Sequence, residues 1–541
     1  MKYRVFESDH YKQIMNKYHV SSLLAKFIDS RGWRDDELRG LVDSHLIYHD
    51  FSLFSEAEMT LERIEEAIDG KEKICIYGDY DCDGIIATTI LVQSFRKRGV
   101  EVGYHIPHRI KDGYGLNVAR VEQMASKGYS LIITVDNGIK AFEAIERANE
   151  LGVDVIITDH HEFEDDLPDA YSIIHTKISP DYPFKDICGG VIAYKLGTAI
   201  NNNKHDKYLY TLAAITTLSD MMPLFDENRA MVKKGIQFMK ENNYPSLRLL
   251  LSNYDKDYTT HSVSFSIIPK INSFGRLPDL VHPNHLVRYF FKDAPIDYME
   301  TISRKAIEIN NKRKQMTFDA YQIAIKDHNH SYLYYASEDI DEGIVGLIAG
   351  RYMNEYEAPG FVMHYDKENH LFKGSARGIN GFSIYDFFTK YDHYLLQWGG
   401  HEMAGGFTVD ENHYQLLEDA LEEELNHSHI ESYKDVIDIE MNDLSIKNIE
   451  SLDLLEPYGE GIEKPLFLLR NIKYDAITTF SNGKHLRINL KEITAIAYNK
   501  GHLIDEIKGY RELCLIGELT VNEFKNVKKP QLNVKDICNG I

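Results

Sequence analysis

Between residues 73 and 177, short β-prone apolar runs alternate with helical patterns, and this alternation constrains the chain more than any other feature. The runs lie at 73–78, 101–106, 130–136, 153–159 and 171–175, with helical patterns at 85–98, 117–126 and 140–151. Such alternation predicts an α/β fold on a mostly parallel sheet. In open α/β sheets, ligands sit beyond the carboxyl ends of the strands. Three runs end there in acidic residues: Gly78-Asp79-Tyr80-Asp81-Cys82-Asp83, Val135-Asp136-Asn137-Gly138 and Thr158-Asp159-His160-His161. One acidic strand end is ordinary. Three on one edge, the last adding paired histidines, predict one metal-binding rim.

Asp79, Asp81 and Asp83 alternate along the first loop, and Gly84 closes it before a helix begins. Two carboxylates about 5 Å apart repel by roughly 3 kcal/mol at an effective dielectric near 20. A helix N-terminus relieves part of this, and a divalent cation relieves far more. Standing alone, an Asp-x-Asp-x-Asp turn reads equally well as a solvated loop with an Asp N-cap. Asp220, after the apolar run 212–219 and before Pro223, reads alone as a turn aspartate. Taken together, Asp79, Asp81, Asp83, Asp136, His160 and Asp220 supply ligands for two divalent ions. Mixed carboxylate and imidazole donors suit Mn²⁺, with Mg²⁺ also accommodated. Asp136 is the candidate bridge between ions, Asp79 stands either as a ligand or as a residue that orients the loop, and His161 is placed to hydrogen-bond a scissile phosphate or protonate a leaving oxygen. Asp136, His160 and His161 are thus the candidate catalytic residues.

A phosphate substrate also needs cations or aligned N–H groups. Arg109, Arg276 and Arg377 are the candidates, and Ser375 with nearby glycine amides suits an anion nest. Any one of these arginines alone would read as a surface ion pair. The glycine-rich run 399–406 is not a P-loop, because no Gly-Lys-Ser/Thr follows.

Residues 10–70 read as helices with apolar spacing at Leu23, Leu24, Phe27 and Ile28, and again at Leu61, Ile64, Ala67 and Ile68. A long helix, polar nearly all round, is expected at 302–327, the kind that bridges domains. A second α/β unit follows, with strands at 332–335 and 361–365, a helix at 344–355, and glycine-rich turns at 373–378 and 398–406. The last 110 or so residues carry short alternating β segments that suit a small β-barrel such as an OB-fold. Net charge is −23, against a basic nucleic-acid coat protein but not against an enzyme that confines positive charge to one groove. No apolar run is long enough to span a membrane, and the start lacks an apolar signal core, so a cytoplasmic location is expected. The five cysteines show no Cys-x-x-Cys pair and suggest neither zinc knuckle nor disulfide framework.

These motifs together resemble the RecJ-like single-stranded-DNA-specific exonucleases of the DHH phosphoesterase superfamily, nearly end to end. Tyr-Gly-Asp-Tyr-Asp-Cys-Asp-Gly (77–84), Val-Asp-Asn-Gly (135–138) and Asp-His-His (159–161) are similar to that family's first three motifs. Cys-Gly-Gly-Val-Ile-Ala-Tyr-Lys (188–195) and Leu-Ser-Asp-Met-Met-Pro-Leu (218–224) resemble its later core motifs. Glu-Gly-Ile-Val-Gly-Leu-Ile-Ala-Gly-Arg (342–351), Gly-Ser-Ala-Arg (374–377) and Gly-Gly-His-Glu-Met-Ala-Gly-Gly (399–406) resemble the DHH-associated domain, and Pro-Tyr-Gly-Glu-Gly (457–461) the entry to the OB-fold. The resemblance implies an α/β fold in five parts: an N-terminal helical segment packing on the core (1–70), a parallel-sheet DHH catalytic domain (71–280), connecting helices (281–330), a second α/β DHH-associated domain (331–430) and an OB-fold (431–541).

It further implies a 5′→3′ exonuclease that degrades single-stranded DNA to 5′-mononucleotides with two Mn²⁺ or Mg²⁺ ions, in repair and recombination. His160 would be the metal ligand of the histidine pair and His161 a phosphate contact. Arg109, Arg276, Ser375 and Arg377 would hold the 5′-terminal phosphate, and His401 would line the nucleotide site. The OB-fold and long helix would close a narrow channel over the strand. A single-strand-binding protein or a helicase would be its partner, and the enzyme a monomer. Cys82 departs from the small apolar residue usual in the first motif, and the sequence ends with the segment expected as the OB-fold, whereas many Gram-positive relatives carry a further C-terminal domain. Two other readings carry weight. One is a DHH phosphodiesterase for short RNA or cyclic dinucleotides, although those relatives lack the OB-fold. The other is a non-catalytic single-strand-binding scaffold, although such proteins lose their ligand residues.

Overall fold

The computed structural model describes residues 2–33, 35, 47–163, 166–252, 254–255, 257–326, 331–427, 433–491, 493–524 and 527–538. The chain forms two compact units, one of Leu46–Glu431 and one of Met1–His45 with Ser432–Ile541. The first strand, β1 (Lys2–Phe6), belongs to the second of these.

The larger unit is built on a parallel sheet of β2 (Lys73–Tyr77), β3 (Gly103–His105), β4 (Tyr129–Val135), β5 (Asp154–Thr158) and β6 (Ser172–Ile174). Their order is β3-β2-β4-β5-β6, and every pairing is parallel. The two-residue alternation of side chains divides β2 between two cores. Ile74 and Ile76 face the core of helices Cys82–Lys97, Gly189–Ile200 and Lys207–Ser219, whereas Cys75 and Tyr77 face that of Val118–Ser126 and Phe142–Glu150. Helices on both faces explain why these runs are apolar throughout. Truncating the fully buried Ile76 to alanine would cost about 2–5 kcal/mol.

The same unit holds a second sheet of β7 (Leu333–Ser337), β8 (Gly360–Asp366), β9 (Leu371–Arg377), β10 (Gln397–His401) and β11 (Ala404–Asp410), in the order β10-β11-β9-β8-β7. Of the stretches expected as glycine-rich turns, 373–378 lies almost wholly in β9, and 398–406 is a hairpin of β10 and β11 with only residues 402–403 turning. The reason is steric. A Cβ on Gly374 would stand 2.5 Å from Met363 and 2.7 Å from Phe407, and one on Gly405 would stand 2.6 Å from Phe388. Glycine here makes room for facing side chains rather than turning the chain. The long helix runs Ile296–Ala324 and is less uniformly polar than expected, since Met299, Ile302, Ala306 and Ile309 enter the main core.

The smaller unit is one eight-stranded sheet. It comprises β1, β12 (Tyr433–Ile439), β13 (Phe467–Ile472), β14 (Ala476–Phe480), β15 (His485–Asn489), β16 (Thr494–Ala497), β17 (Leu513–Phe524) and β18 (Val527–Cys538), in the order β1-β12-β13-β17-β18-β16-β15-β14. The expectation that residues 1–70 form a helical segment on the catalytic core is therefore corrected. Its first 45 residues belong to the smaller unit and the rest to the larger, where Ala57, Ile64 and Ala67 of helix Ala57–Asp69 enter the main core. β1 pairs in parallel with β12, and Tyr3 and Val5 pack against the cluster of Val436, Leu468 and Ile516. Helix Ser22–Ser30 is fixed to the same unit by the buried Lys26 ammonium, 2.7 Å from Asp443 Oδ2, and by Ser22, 2.6 Å from Asp443 Oδ1. A five-residue strand is too short for periodicity to reveal. The junctions expected near residues 330 and 430 lie outside the described residues. No helix among the described residues is long and apolar enough to cross a membrane.

Candidate metal centre and phosphate site

The first loop leaves β2 at Gly78, and Asp81 caps the next helix, its Oδ1 accepting from the Gly84 N–H at 3.1 Å. A Cβ on Gly84 would fall 2.5 Å from the Asp79 nitrogen, so glycine lets the loop fold back on the helix start. Asp83, fully buried, accepts from two amides at the N-terminus of helix Gly189–Ile200: Gly189 N at 2.7 Å and Gly190 N at 2.8 Å. The Cys188-Gly189-Gly190 motif thus acts through its backbone. A Cβ on Gly189 would stand 2.6 Å from the Asp136 Cβ. Asp136 itself is left-handed (φ 62°), a conformation that costs a non-glycine residue about 1–2 kcal/mol and turns its carboxylate off the end of β4.

The third loop supplies the histidines. His160 Nε2 lies 3.0 Å from Asp136 Oδ1, 3.2 Å from Asp220 Oδ2 and 3.9 Å from Asp83 Oδ2. Burial pulls its pKa down to about 4, so its ring is neutral and free to ligate. His161 behaves oppositely. Burial works against its charge, but Asp159, 2.7 Å from its Nδ1, outweighs burial and lifts it to about 9. Asp159 also accepts from the amides of Ile139, His160 and His161, and it lies well below the usual carboxylate range despite burial. The rim expected from three acidic strand ends is formed, and Asp220, at the end of helix Lys207–Ser219, joins it rather than serving as a turn residue.

Three overlapping donor sets result: Asp136, His160 and His161; Asp83, His160 and Asp220; and Asp79, Asp81 and Asp136. Within each, the donor atoms lie within 4.8 Å of one another. The residues present fit a pair of hard divalent cations. Five of the six expected ligands are carboxylates, the sixth is a neutral imidazole, and Asp79 Oδ1 is buried with no hydrogen-bond partner. Burial first, and then neighbouring carboxylates, push the Asp79, Asp81, Asp83 and Asp136 carboxyls up, as expected of charges awaiting a counter-ion.

The arginines gather separately. The Arg276 guanidinium is half-buried and donates to the Gly343 carbonyl at 3.1 Å. Burial, with the charges of Arg109, Arg313 and Arg377, draws it down to about 9. Arg377 donates to Ser375 Oγ at 2.7 Å, and Arg109 lies 5.1 Å above the Tyr80 ring. Among the described residues, none of Arg109, Arg276, Arg313 and Arg377 has a carboxylate within ion-pair distance, in a chain of net charge −23. Clustered cations without acidic partners mark an anion site. His401 is exposed on β10 and lies near Glu162, the residue after His161, whose pKa it helps Lys177 to lower.

The sequence reading left several contributors unassigned. Asp159 carried a signal, as the acid directly before the histidine pair. Tyr114, within Gly113-Tyr114-Gly115, places its hydroxyl 3.2 Å from His161 Nε2 and 3.3 Å from the Asp136 carbonyl. Asn272 accepts from the Cys82 amide at 2.8 Å, and Arg313 comes from the long helix. Nothing local distinguishes these last two.

Residues 73–217 match the DHH family N-terminal domain, residues 329–427 the DHHA1 domain and residues 437–536 the RecJ OB domain. The chain is 31% identical over 559 residues to the single-stranded-DNA-specific exonuclease RecJ of Bacillus subtilis, an alignment covering 98% of this chain and 70% of that protein. Among solved structures it resembles RecJ of Thermus thermophilus in complex with Mn²⁺, with a TM-score of 0.85 at 24% identity, covering 99% of this chain and 79% of that one. The Mg²⁺ complex of the same protein gives a TM-score of 0.78 at 23% identity, covering 99% and 78%.

Proposed function

This chain belongs to the family of RecJ single-stranded-DNA-specific exonucleases, and from that premise we propose that it hydrolyses single-stranded DNA from the 5′ end, releasing 5′-mononucleotides. One observation carries the reading: six ligand residues from three strand ends and one helix end converge, beside a separate cluster of arginines without carboxylate partners. A cleaving centre and an end-binding centre in one unit are what removal of one nucleotide at a time requires.

Asp79, Asp81, Asp83, Asp136, His160 and Asp220 would hold two Mn²⁺ or Mg²⁺ ions, which supply Lewis acidity and a nucleophilic hydroxide near neutral pH. Asp83 is pre-positioned by the Gly189 and Gly190 amides, so its carboxylate need not reorganise on binding. Asp136 and His160 each belong to two of the three donor sets, and Asp136, with two carboxylate oxygens, would be the residue that serves both ions. His160, neutral, keeps a lone pair for coordination. His161, cationic and held by Asp159, offers a proton to a phosphate oxygen or to the leaving oxygen. Arg109, Arg276 and Arg377, with Ser375, hold the terminal 5′-phosphate and set the polarity of cleavage. His401 lines the outer edge of the nucleotide site. The enzyme acts in the cytoplasm as a monomer in repair and recombination, on strands exposed by a helicase or held by a single-strand-binding protein.

The test is Mn²⁺-dependent digestion of a single strand labelled at either end, alongside duplex DNA, a short RNA and a cyclic dinucleotide. Progressive loss from the 5′ end of the single DNA strand alone is expected. Cleavage of only the RNA or the cyclic dinucleotide would overturn the proposal.

A further inference from the structure

We propose that Tyr114 is a base-stacking residue, which with Tyr80 grips the nucleobase of the nucleotide being released. The proposal rests on the exonuclease reading above and adds to it a requirement for a base on the terminal nucleotide.

Three observations place the ring. First, its hydroxyl is fixed at the metal cluster, 3.2 Å from both ring nitrogens of His161 and 3.3 Å from the Asp136 carbonyl. Second, the side chain is 51% exposed although its tip is anchored, so a ring face is left open beside the metal ligands. Third, its ring centroid stands 6.4 Å from that of Tyr80, nearly perpendicular at 80°, and Tyr80 in turn carries the Arg109 guanidinium at 5.1 Å. An aromatic strip therefore runs from the arginine cluster to the metal cluster. The flanking glycines, Gly113 (φ 77°) and Gly115 (φ 69°), take left-handed conformations that side-chain-bearing residues resist, which lets the backbone lift this one ring out of the loop.

The substrate's chemistry supplies the rest. A terminal nucleotide has its 5′-phosphate at one end and the scissile phosphate at the other, with the base projecting between them. If the first lies with the arginines and the second with the metal ligands, the base lies along the strip that joins those sites. Stacking on an aromatic face tolerates any base, because every base has a π-face, and so it grips without imposing sequence preference. The hydroxyl gives Tyr114 a second part as a positioning residue, since it sits against the His161 ring, 3.2 Å from both Nδ1 and Nε2, while Asp159 holds Nδ1.

The test compares wild type, Tyr114→Phe and Tyr114→Ala on 5′-phosphorylated single strands whose first nucleotide is either normal or an abasic tetrahydrofuran. Wild type should release the normal nucleotide at least about fivefold better in kcat/KM, mainly through KM. Tyr114→Phe should keep that preference while losing kcat, and Tyr114→Ala should lose the preference. A second readout needs no turnover: 2-aminopurine at the first position, bound in chelator, should be quenched by wild type and Tyr114→Phe and not by Tyr114→Ala. Wild-type cleavage from the 5′ end with no base preference, or full preference and quenching in Tyr114→Ala, would overturn the stacking role alone. Failure of wild type to remove the 5′ nucleotide from either strand would overturn the exonuclease reading and the stacking role with it.

Discussion

Replacing Asp136 with asparagine should make the metal-free protein more stable while weakening its response to metal. Asp79, Asp81 and Asp136 present oxygens within 4.8 Å of one another. Two full charges at that separation repel by about 3 kcal/mol at an effective dielectric near 20. Burial and the neighbouring carboxylates raise the Asp136 pKa in the folded state. For an acid raised in this way, the folded state binds more protons than the unfolded one. Stability is therefore lost as pH climbs from the ordinary carboxylate range through the folded value, and the metal-free wild type should melt higher at pH 5 than at pH 7.5. The Asp136→Asn change removes one charge, keeps the volume, and still offers an oxygen to His160 Nε2, which lies 3.0 Å from Asp136 Oδ1 in the wild type. The variant should gain up to about 3 kcal/mol at pH 7.5 without metal, a rise of a few degrees in a unit this large, and its melting should depend less on pH. Thermal melts in chelator and across a Mn²⁺ titration measure both effects. A metal-free variant that melts at or below wild type, and still shows the full Mn²⁺-induced shift, would refute the picture of a repelling carboxylate cluster relieved by cations.

Gly189→Ala should lower cleavage by at least about a hundredfold with the fold retained in circular dichroism, because the new methyl stands 2.6 Å from Asp136 Cβ and small displacements of catalytic groups carry losses of that size. Arg377→Ala should weaken cleavage of 5′-phosphorylated strands by tenfold or more relative to 5′-hydroxyl strands, measured as the ratio of kcat/KM; an equal loss on both would remove Arg377 from end recognition. Asp443→Ala should destabilise the smaller unit by about 3–5 kcal/mol in urea melts, since it leaves the buried Lys26 ammonium without its partner. Burial pushes the Asp443 carboxyl up, but hydrogen bonds from Lys26, Ser22 and the Glu440 amide and the Lys26 charge hold it below its usual value. Its contribution is therefore present above about pH 4 and lost as pH falls below that, and the wild type should show a steeper acid-side fall in stability than Asp443→Asn.

The parallel sheet was legible because its central strands are apolar on both faces and three of the loops after them carry acidic residues at the same edge. The convergence of these acids with the paired histidines was legible for the same reason, and even Asp220, unremarkable alone, was recoverable once the other acids were read as one set. What escaped had no local signature. The strand status of residues 371–377, 397–401 and 404–406 was hidden because glycine reads as a turn former, whereas here Gly374 makes room for Met363 and Phe407 and Gly405 for Phe388. Tyr114 and Asn272 act on residues from 22 to 190 positions away, which no spacing rule detects. Arg313 lies in a helix whose charges look like ordinary solvation, and only its neighbours Arg109, Arg276 and Arg377 single it out.

β1 pairs with β12, so that Arg4 lies opposite Asp435, 431 positions later in the chain. On the ribosome, at about 5–20 residues per second, the first strand waits on the order of 20–90 seconds before its partner is made. The whole catalytic unit is synthesised within that interval, as an insertion between one strand and the remainder of its sheet. A nascent chain interrupted before residue 433 therefore has all the catalytic residues but leaves Tyr3 and Val5 without the strand they pack beside, an exposed strand of the kind that recruits chaperones or another copy of itself.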